Sequence, residues 1–197
     1  MSYSFRLASL LLIAATLSGC ASANPQYYTF DATAVSGSAA PVPISAVVGP
    51  VSIPATVDRA NIVLETAPNR VEFEEYERWA APLDALIAKT VAANVSRMLG
   101  SPQIAPAAQA NFTPQYQIAI SVQHFDSSKQ AALLDALWTV RRAGAAQGRS
   151  GRIVVSEPVT GDDFSDLAAA QSRNLAKLSA NIAAALRSEN NDATPPR

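Results

Sequence analysis

The chain has 197 residues, is 49% hydrophobic and 16% charged, and sets 15 lysines and arginines against 16 aspartates and glutamates, for a net charge of −1. This near-neutral balance, with no basic cluster, excludes an electrostatic footprint for nucleic acid. A single cysteine excludes a disulfide framework, a cysteine-ligated metal site and, once that residue is modified, a cysteine nucleophile within the monomer.

At the N-terminus Arg6 precedes an apolar stretch of about eleven residues, Leu7 to Leu17, which ends in Leu17-Ser18-Gly19-Cys20. That stretch is roughly half of what a helix needs to cross a bilayer, so residues 1–19 are expected to be a signal peptide. The small pair Ser18 and Gly19 before a cysteine forms a lipobox. Cys20 is therefore the expected start of the mature chain, and its sulfur the expected site of a covalent lipid. One acyl chain binds membranes only marginally, so stable anchoring calls for more than one. Nothing downstream is long and apolar enough to span a membrane. The segment 20–26 is expected to be a lipidated tether, 27–187 a single folded domain, and 188–197 a polar, disordered tail.

Tyr27 to Ala32 is rich in β-prone residues and is expected to be a strand, followed by a loop from Ser36 to Pro43. Ile44 to Ile53 reads as a strand interrupted at Gly49-Pro50 and confined by prolines to an edge or to short pieces. Asn61 to Thr66 and Arg70 to Tyr76 flank the turn sequence Ala67-Pro68-Asn69 and form a predicted hairpin. In its second arm Val71 and Phe73 alternate with Glu72, Glu74 and Tyr76, which fits a half-buried strand.

From Ala81 the period changes. Leu83, Leu86, Ile87, Val91, Val95, Met98 and Leu99 recur at helical spacing, Pro82 falls in the first turn and Gly100 closes the run. After a loop from Ser101 to Pro114, Tyr116, Ile118, Ile120, Val122 and His124 repeat every second residue and define the apolar face of a strand. Leu133 to Val140 and Arg152 to Glu157 complete an expected antiparallel meander. A last amphipathic helix is predicted from Asp163 to Arg187, capped by Asp162 or Asp163. The order implies an α+β or α/β fold: a single two-layer domain with a mixed or antiparallel sheet and two main amphipathic helices on one face.

Little in the sequence carries chemistry. His124 is the only histidine, so a catalytic triad has one candidate base, and a zinc site would have to lean on carboxylates. Glu72, Glu74, Glu75, Glu77 and Asp84 form an acidic group that a hydrolase could use, although solvated charge at a strand edge and a helix start is the commoner explanation. No phosphate-binding loop, dinucleotide fingerprint or nucleophile elbow is present. The expectation is a non-enzyme with no catalytic residue, no metal and no cofactor beyond the lipid on Cys20. Arg59, Arg78 and Trp79 are the candidate partner-contact residues, with an ion pair for each arginine and core packing for the tryptophan as the simpler explanations. Trp138 is expected in the core.

The segments Val48-Gly49-Pro50-Val51-Ser52-Ile53-Pro54, Val57-Asp58-Arg59-Ala60-Asn61-Ile62-Val63, Arg78-Trp79-Ala80-Ala81-Pro82-Leu83, Leu134-Asp135-Ala136-Leu137-Trp138 and Ala168-Ala169-Ala170-Gln171-Ser172 are similar, in that order, to those of the PqiC/YmbA family of auxiliary lipoproteins of ABC-type or MCE-type transport systems. Ala60 departs from the proline expected after the Asp-Arg pair. The resemblance implies an outer-membrane lipoprotein facing the periplasm. Its implied partners are an MCE-domain membrane protein and that protein's inner-membrane partner, in an assembly that moves lipid between membranes and supports envelope integrity. It leaves a homo-oligomer open and implies no catalytic residues. Ala21, which follows the cysteine, resembles the pattern of lipoproteins exported to the outer membrane. The rival expectation is a periplasmic carrier lipoprotein that shields a lipid tail in an apolar groove.

Overall fold

The computed structural model describes residues 24–36 and 40–192. The expected signal peptide, Cys20, the first part of the expected tether, residues 37–39 and the last part of the expected tail lie outside the described residues.

Among the described residues, eight strands and two helices follow one another as β1 (Gln26–Tyr28), β2 (Ala46–Ser52), β3 (Asn61–Ala67), β4 (Arg70–Trp79), α1 (Leu83–Leu99), β5 (Ile104–Ala105), β6 (Tyr116–Ser127), β7 (Ala131–Arg142), β8 (Arg149–Pro158) and α2 (Phe164–Asp192). The strands form two sheets, one ordered β5-β2-β6-β7-β8 and a smaller one ordered β1-β4-β3. The expected α+β class, the meander β6-β7-β8 and the two helices on one sheet face are all present: α1 lies over β2 and β5, α2 over β7 and β8, and the helices pack on each other. The division into two sheets was not anticipated.

The large sheet alternates as a sheet with one covered face must. Ile118, Ile120 and Val122 of β6 and Ala132, Leu134, Ala136, Trp138 and Val140 of β7 point into the helix layer and are buried. Trp138 lies across Gly151, its partner on β8; a β-carbon there would meet the indole at 2.5 Å, so only glycine leaves room for the ring. Phe164, Leu167, Gln171, Leu175, Leu178, Ile182 and Leu186 give α2 its core-facing stripe, and all but the half-buried Phe164 are buried. At its start the Asp166 carboxylate accepts from the Asp163 amide at 3.3 Å, while the Asp163 carbonyl accepts from Leu167. At the other helix, Pro82 sits at the N-cap and Gly100 takes the left-handed conformation (φ 64°) that ends it.

Several sequence expectations are corrected. The first strand ends at Tyr28, because Phe30 turns into the core and the described residues 29–36 and 40–45 form a strap across the helices. The strap is held by polar side chains of both helices: Ser172 accepts from the Asp31 amide at 3.1 Å, Asn94 accepts from the Ala34 amide at 2.9 Å, and Arg97 donates to the Ala32 carbonyl. β2 is not an edge throughout, since β5 pairs with its first two residues; Gly49-Pro50, joined by a cis peptide, falls beyond that short partner. The tail read as beginning at Ser188 is helical to Asp192, where Arg149 of β8 pairs with Glu189 and Asp192.

His124 does not lie on the apolar face. Gln123 is an extra residue between the pairs Val122–Ala136 and His124–Asp135, a β-bulge that reverses the alternation, so that Phe125 turns in and His124 turns out. The imidazole is exposed, 3.6 Å from Asp126.

Glu157 of β8 receives hydrogen bonds from both Lys177 and Arg173 of α2, each at 2.6 Å, which hold its carboxyl below the ordinary value of 4.5. A carboxyl with the lower pKa in the folded state binds fewer protons there, so its stabilisation is complete above that ordinary value and fades as pH falls through the folded-state value. Because Lys177 is half exposed, Glu157→Gln should cost only about 1 kcal/mol at neutral pH. It should also flatten the fall in melting temperature from about pH 5 to about pH 3, which thermal melts across that range would read.

Candidate functional site

The small sheet gathers most of the residues singled out in the sequence. Its inner face carries Ile62 and Leu64 into the core, and Trp79 at the end of β4 closes an aromatic cluster with Phe30 (centroids 4.8 Å apart) and Phe125 (6.3 Å). Trp79 is 5% exposed, so it is a core residue and not a partner contact; its indole joins the strap, the small sheet and the large sheet.

Arg59 and Arg78 lie on the opposite, outer face. The register pairs Val63 with Phe73, Asn61 with Arg78, and Arg78 with Tyr27 of β1, which places these side chains on one side of the sheet. Arg59 stacks over the Phe73 ring at 3.8 Å while its Nε donates to the Thr56 carbonyl. Arg78 donates to the Glu75 carbonyl at 3.3 Å. Neither guanidinium forms an ion pair among the described residues.

Val71 and Phe73, expected on a half-buried face, are exposed (48% and 52%). A two-residue turn at Pro68-Asn69 would set Leu64 opposite Phe73, both facing in. Instead Thr66 is an extra residue, and the pairing becomes Leu64 with Glu72 and Val63 with Phe73. A second, wider irregularity spans Glu74 to Glu77 opposite Ile62, where the Asn61 side chain donates to the Glu74 carbonyl at 2.6 Å.

The acidic group does not converge. Glu72 pairs with Arg70, the Asp84 carboxylate accepts from the Ala85 amide in the first turn of α1, and Glu77 accepts from the Tyr28 hydroxyl at 2.5 Å. Burial, together with Glu77 as acceptor, pushes that hydroxyl up to about 12. Glu74 lines a pocket of about 220 Å³ with Leu64, Lys129, Asp163, Phe164 and Leu167, below the size usual for a small-molecule site. Among the described residues, no three histidine, cysteine, aspartate or glutamate side chains are placed to hold a metal ion.

The uncovered face of the large sheet holds an ion pair that no sequence pattern marks. Asp135, on the outer face of β7 and 4% exposed, accepts two hydrogen bonds from Arg152 of β8, at 2.9 and 2.6 Å, and these bonds hold its carboxyl low. Around it Leu137 and Val154 are exposed, and a groove of about 700 Å³ lined by Pro50, Gln117, Thr139, Arg141 and Ser150 runs along the same uncovered face.

The model of a family described as ABC-type transport auxiliary lipoprotein component matches residues 28–183. Among solved structures, protein XCC0632 from Xanthomonas campestris, of the family-model DUF330, is similar over 86% of this chain and 99% of its own, with 17% identity and a TM-score of 0.71. A crystal structure of an uncharacterized protein matches 82% of this chain and 97% of its own at 21% identity and a TM-score of 0.66. Both likenesses show the fold. A search of curated proteins returned no match.

The two-sided description of the small sheet has a direct test. Trp79→Ala should lower the unfolding free energy by about 3–5 kcal/mol, as loss of a large buried side chain does. Arg59→Ala, which removes an exposed stacking contact, should change it by about 0.5–1 kcal/mol. Urea denaturation of the two variants separates these values, and equal losses would contradict the placement.

Proposed function

The chain belongs to the family of ABC-type transport auxiliary lipoprotein components, and from that membership we propose that it is a non-enzymatic subunit of an MCE-associated transport system, anchored to the outer membrane through acylated Cys20. The observation that carries this reading is the family match over residues 28–183, joined to the lipobox Leu17-Ser18-Gly19-Cys20 immediately upstream. Among the described residues no helix is long and apolar enough to cross a membrane, so a covalent lipid is the available means of attachment in this reading.

In it, the domain acts by position. The lipid fixes a rigid body at one membrane, and that body receives or orients the end of the MCE component reaching from the other. A rigid scaffold suits this role, and rigidity is supported by the buried polar contacts that tie strap, helices and sheet together. A carrier that shields a lipid tail would instead need an apolar interior space, whereas Ile118, Leu134, Leu175, Leu178 and Ile182 are fully buried where the large sheet meets α2.

Crosslinking in intact cells, followed by mass spectrometry of the captured proteins, should recover an MCE-domain protein with the full chain. Recovery of the lipoprotein without such a partner would refute the reading. Cys20→Ala should yield a folded protein released from the membrane fraction and unable to restore the envelope phenotype of a deletion strain, and full complementation by that soluble form would refute the anchoring role.

A further inference from the structure

We propose that the outer face of the β1-β4-β3 sheet lies against the lipid headgroups of the membrane that holds the anchor. The proposal rests on acylation of Cys20, as read above, and adds to it an orientation.

The length of the tether is the first ground. Cys20 stands four residues before Asn24, the first described residue, and six before the start of β1. Even fully extended, such a segment spans at most about 20 Å. β1 is thus confined to the vicinity of the bilayer surface, and with it the sheet of which it is an edge.

The second ground is what that sheet exposes. Of the seven large hydrophobic side chains exposed among the described residues, Tyr27, Val71, Phe73 and Tyr76 belong to this small sheet, and they include every aromatic one. Tyr27, at 62% exposure, lies beside the tether itself. Tyrosine and phenylalanine favour the zone where acyl chains meet headgroups, because an apolar ring can enter while a hydroxyl stays hydrated. Arg59, stacked on Phe73, and Arg78 on the same face have no carboxylate partner among the described residues and present donors suited to lipid phosphates. Glu65 shares the face, so the contact is mainly apolar and interfacial, not an attraction of net charge. Apart from these four, the exposed large apolar residues among the described ones are Leu137 and Val154 on the large sheet and Val35 in the strap.

This assignment gives Arg59 and Arg78 a lipid occupant in place of a protein partner. The test uses the full-length acylated protein. Because Cys20 is the only native cysteine and is blocked by lipid, a cysteine introduced at Phe73 (Phe73→Cys), Val71 (Val71→Cys) or, as reference, Leu137 (Leu137→Cys) can be labelled uniquely with an environment-sensitive fluorophore. The three proteins are reconstituted in vesicles of phosphatidylethanolamine and phosphatidylglycerol containing lipids that carry a quencher at the headgroup boundary. Labels at 71 and 73 should shift to the blue and be quenched several-fold more than the label at 137. Equal quenching at all three positions overturns the proposal. So does a label at 73 that is shielded from water yet not quenched by lipid, since a second copy or another protein then covers the face. Intact mass and vesicle flotation are read on the same samples: a missing acyl mass or failure to float overturns the anchoring reading itself, and is thereby distinguished from an acylated, floating protein whose small sheet stays in water.

Discussion

At Gln123 the sixth strand takes in one residue for which its neighbour has no counterpart, and the consequences run through the molecule. Before it, even-numbered residues face the helices; after it, Phe125 and Ser127 do. Phe125 then meets Trp79 and Phe30, the only aromatic contact that joins the large sheet, the small sheet and the strap among the described residues. Without the bulge, Phe125 would face solvent and Trp79 would lose an edge of its cluster. The small sheet would then be joined to the rest of the domain mainly through Ile62, Leu64 and the Tyr28–Phe164 ring contact. The bulge is therefore the local irregularity on which the global arrangement depends.

The strap shows the same logic with polar groups. A chain that crosses a helix layer has backbone amides and carbonyls that must find partners. Here the partners are side chains on the two helices: Ser172 and Asn94 for amides, and Arg97 and Arg187 for the carbonyls of Ala32 and Ala40. Deeper in, Asn174 donates to the Ala132 carbonyl and Gln171 to that of Asp126, tying α2 to the turn between β6 and β7. Such contacts specify one packing as well as stabilising it, because an alternative arrangement would leave buried polar atoms unpaired.

Much of this fold was legible in the sequence, and the part that was not has a common cause. Helical spacing from Leu83 to Leu99 and from Phe164 onward, alternation in β6, and the Ala67-Pro68-Asn69 turn each follow from a period or a turn residue. Alternation, however, assigns faces only while register is unbroken. The extra residues at Thr66 and Gln123 reverse it, and a bulge of one ordinary residue leaves no mark in composition. Hence unbroken alternation turns His124 inward and sets Val71 and Phe73 on a half-buried face, where the structure has neither. Trp79 is hidden for a related reason: the sequence shows a tryptophan beside an arginine on opposite faces of a strand, and only the fold shows which of those faces the core covers. The pairing of Asp135 with Arg152 was hidden by distance along the chain, since it needs the β7–β8 register to bring the two together.

Reversal at Thr66 also bears on why exposed Phe73 is tolerated. A sheet with Leu64 opposite Phe73 would bury both and present glutamates outward, a conventional soluble face. The observed register does the opposite: it buries Leu64, opposes it with Glu72, and turns Val63, Val71 and Phe73 out, with Arg59 laid over the ring. Exposed apolar clusters are commonly interaction surfaces. With the proposed lipid on Cys20, the surface next to the attachment point stays near lipid, and apolar exposure there does not carry the aggregation cost it would have in a freely diffusing domain. The register that looks unfavourable for a water-soluble protein is consistent with one whose nearest neighbour is a membrane.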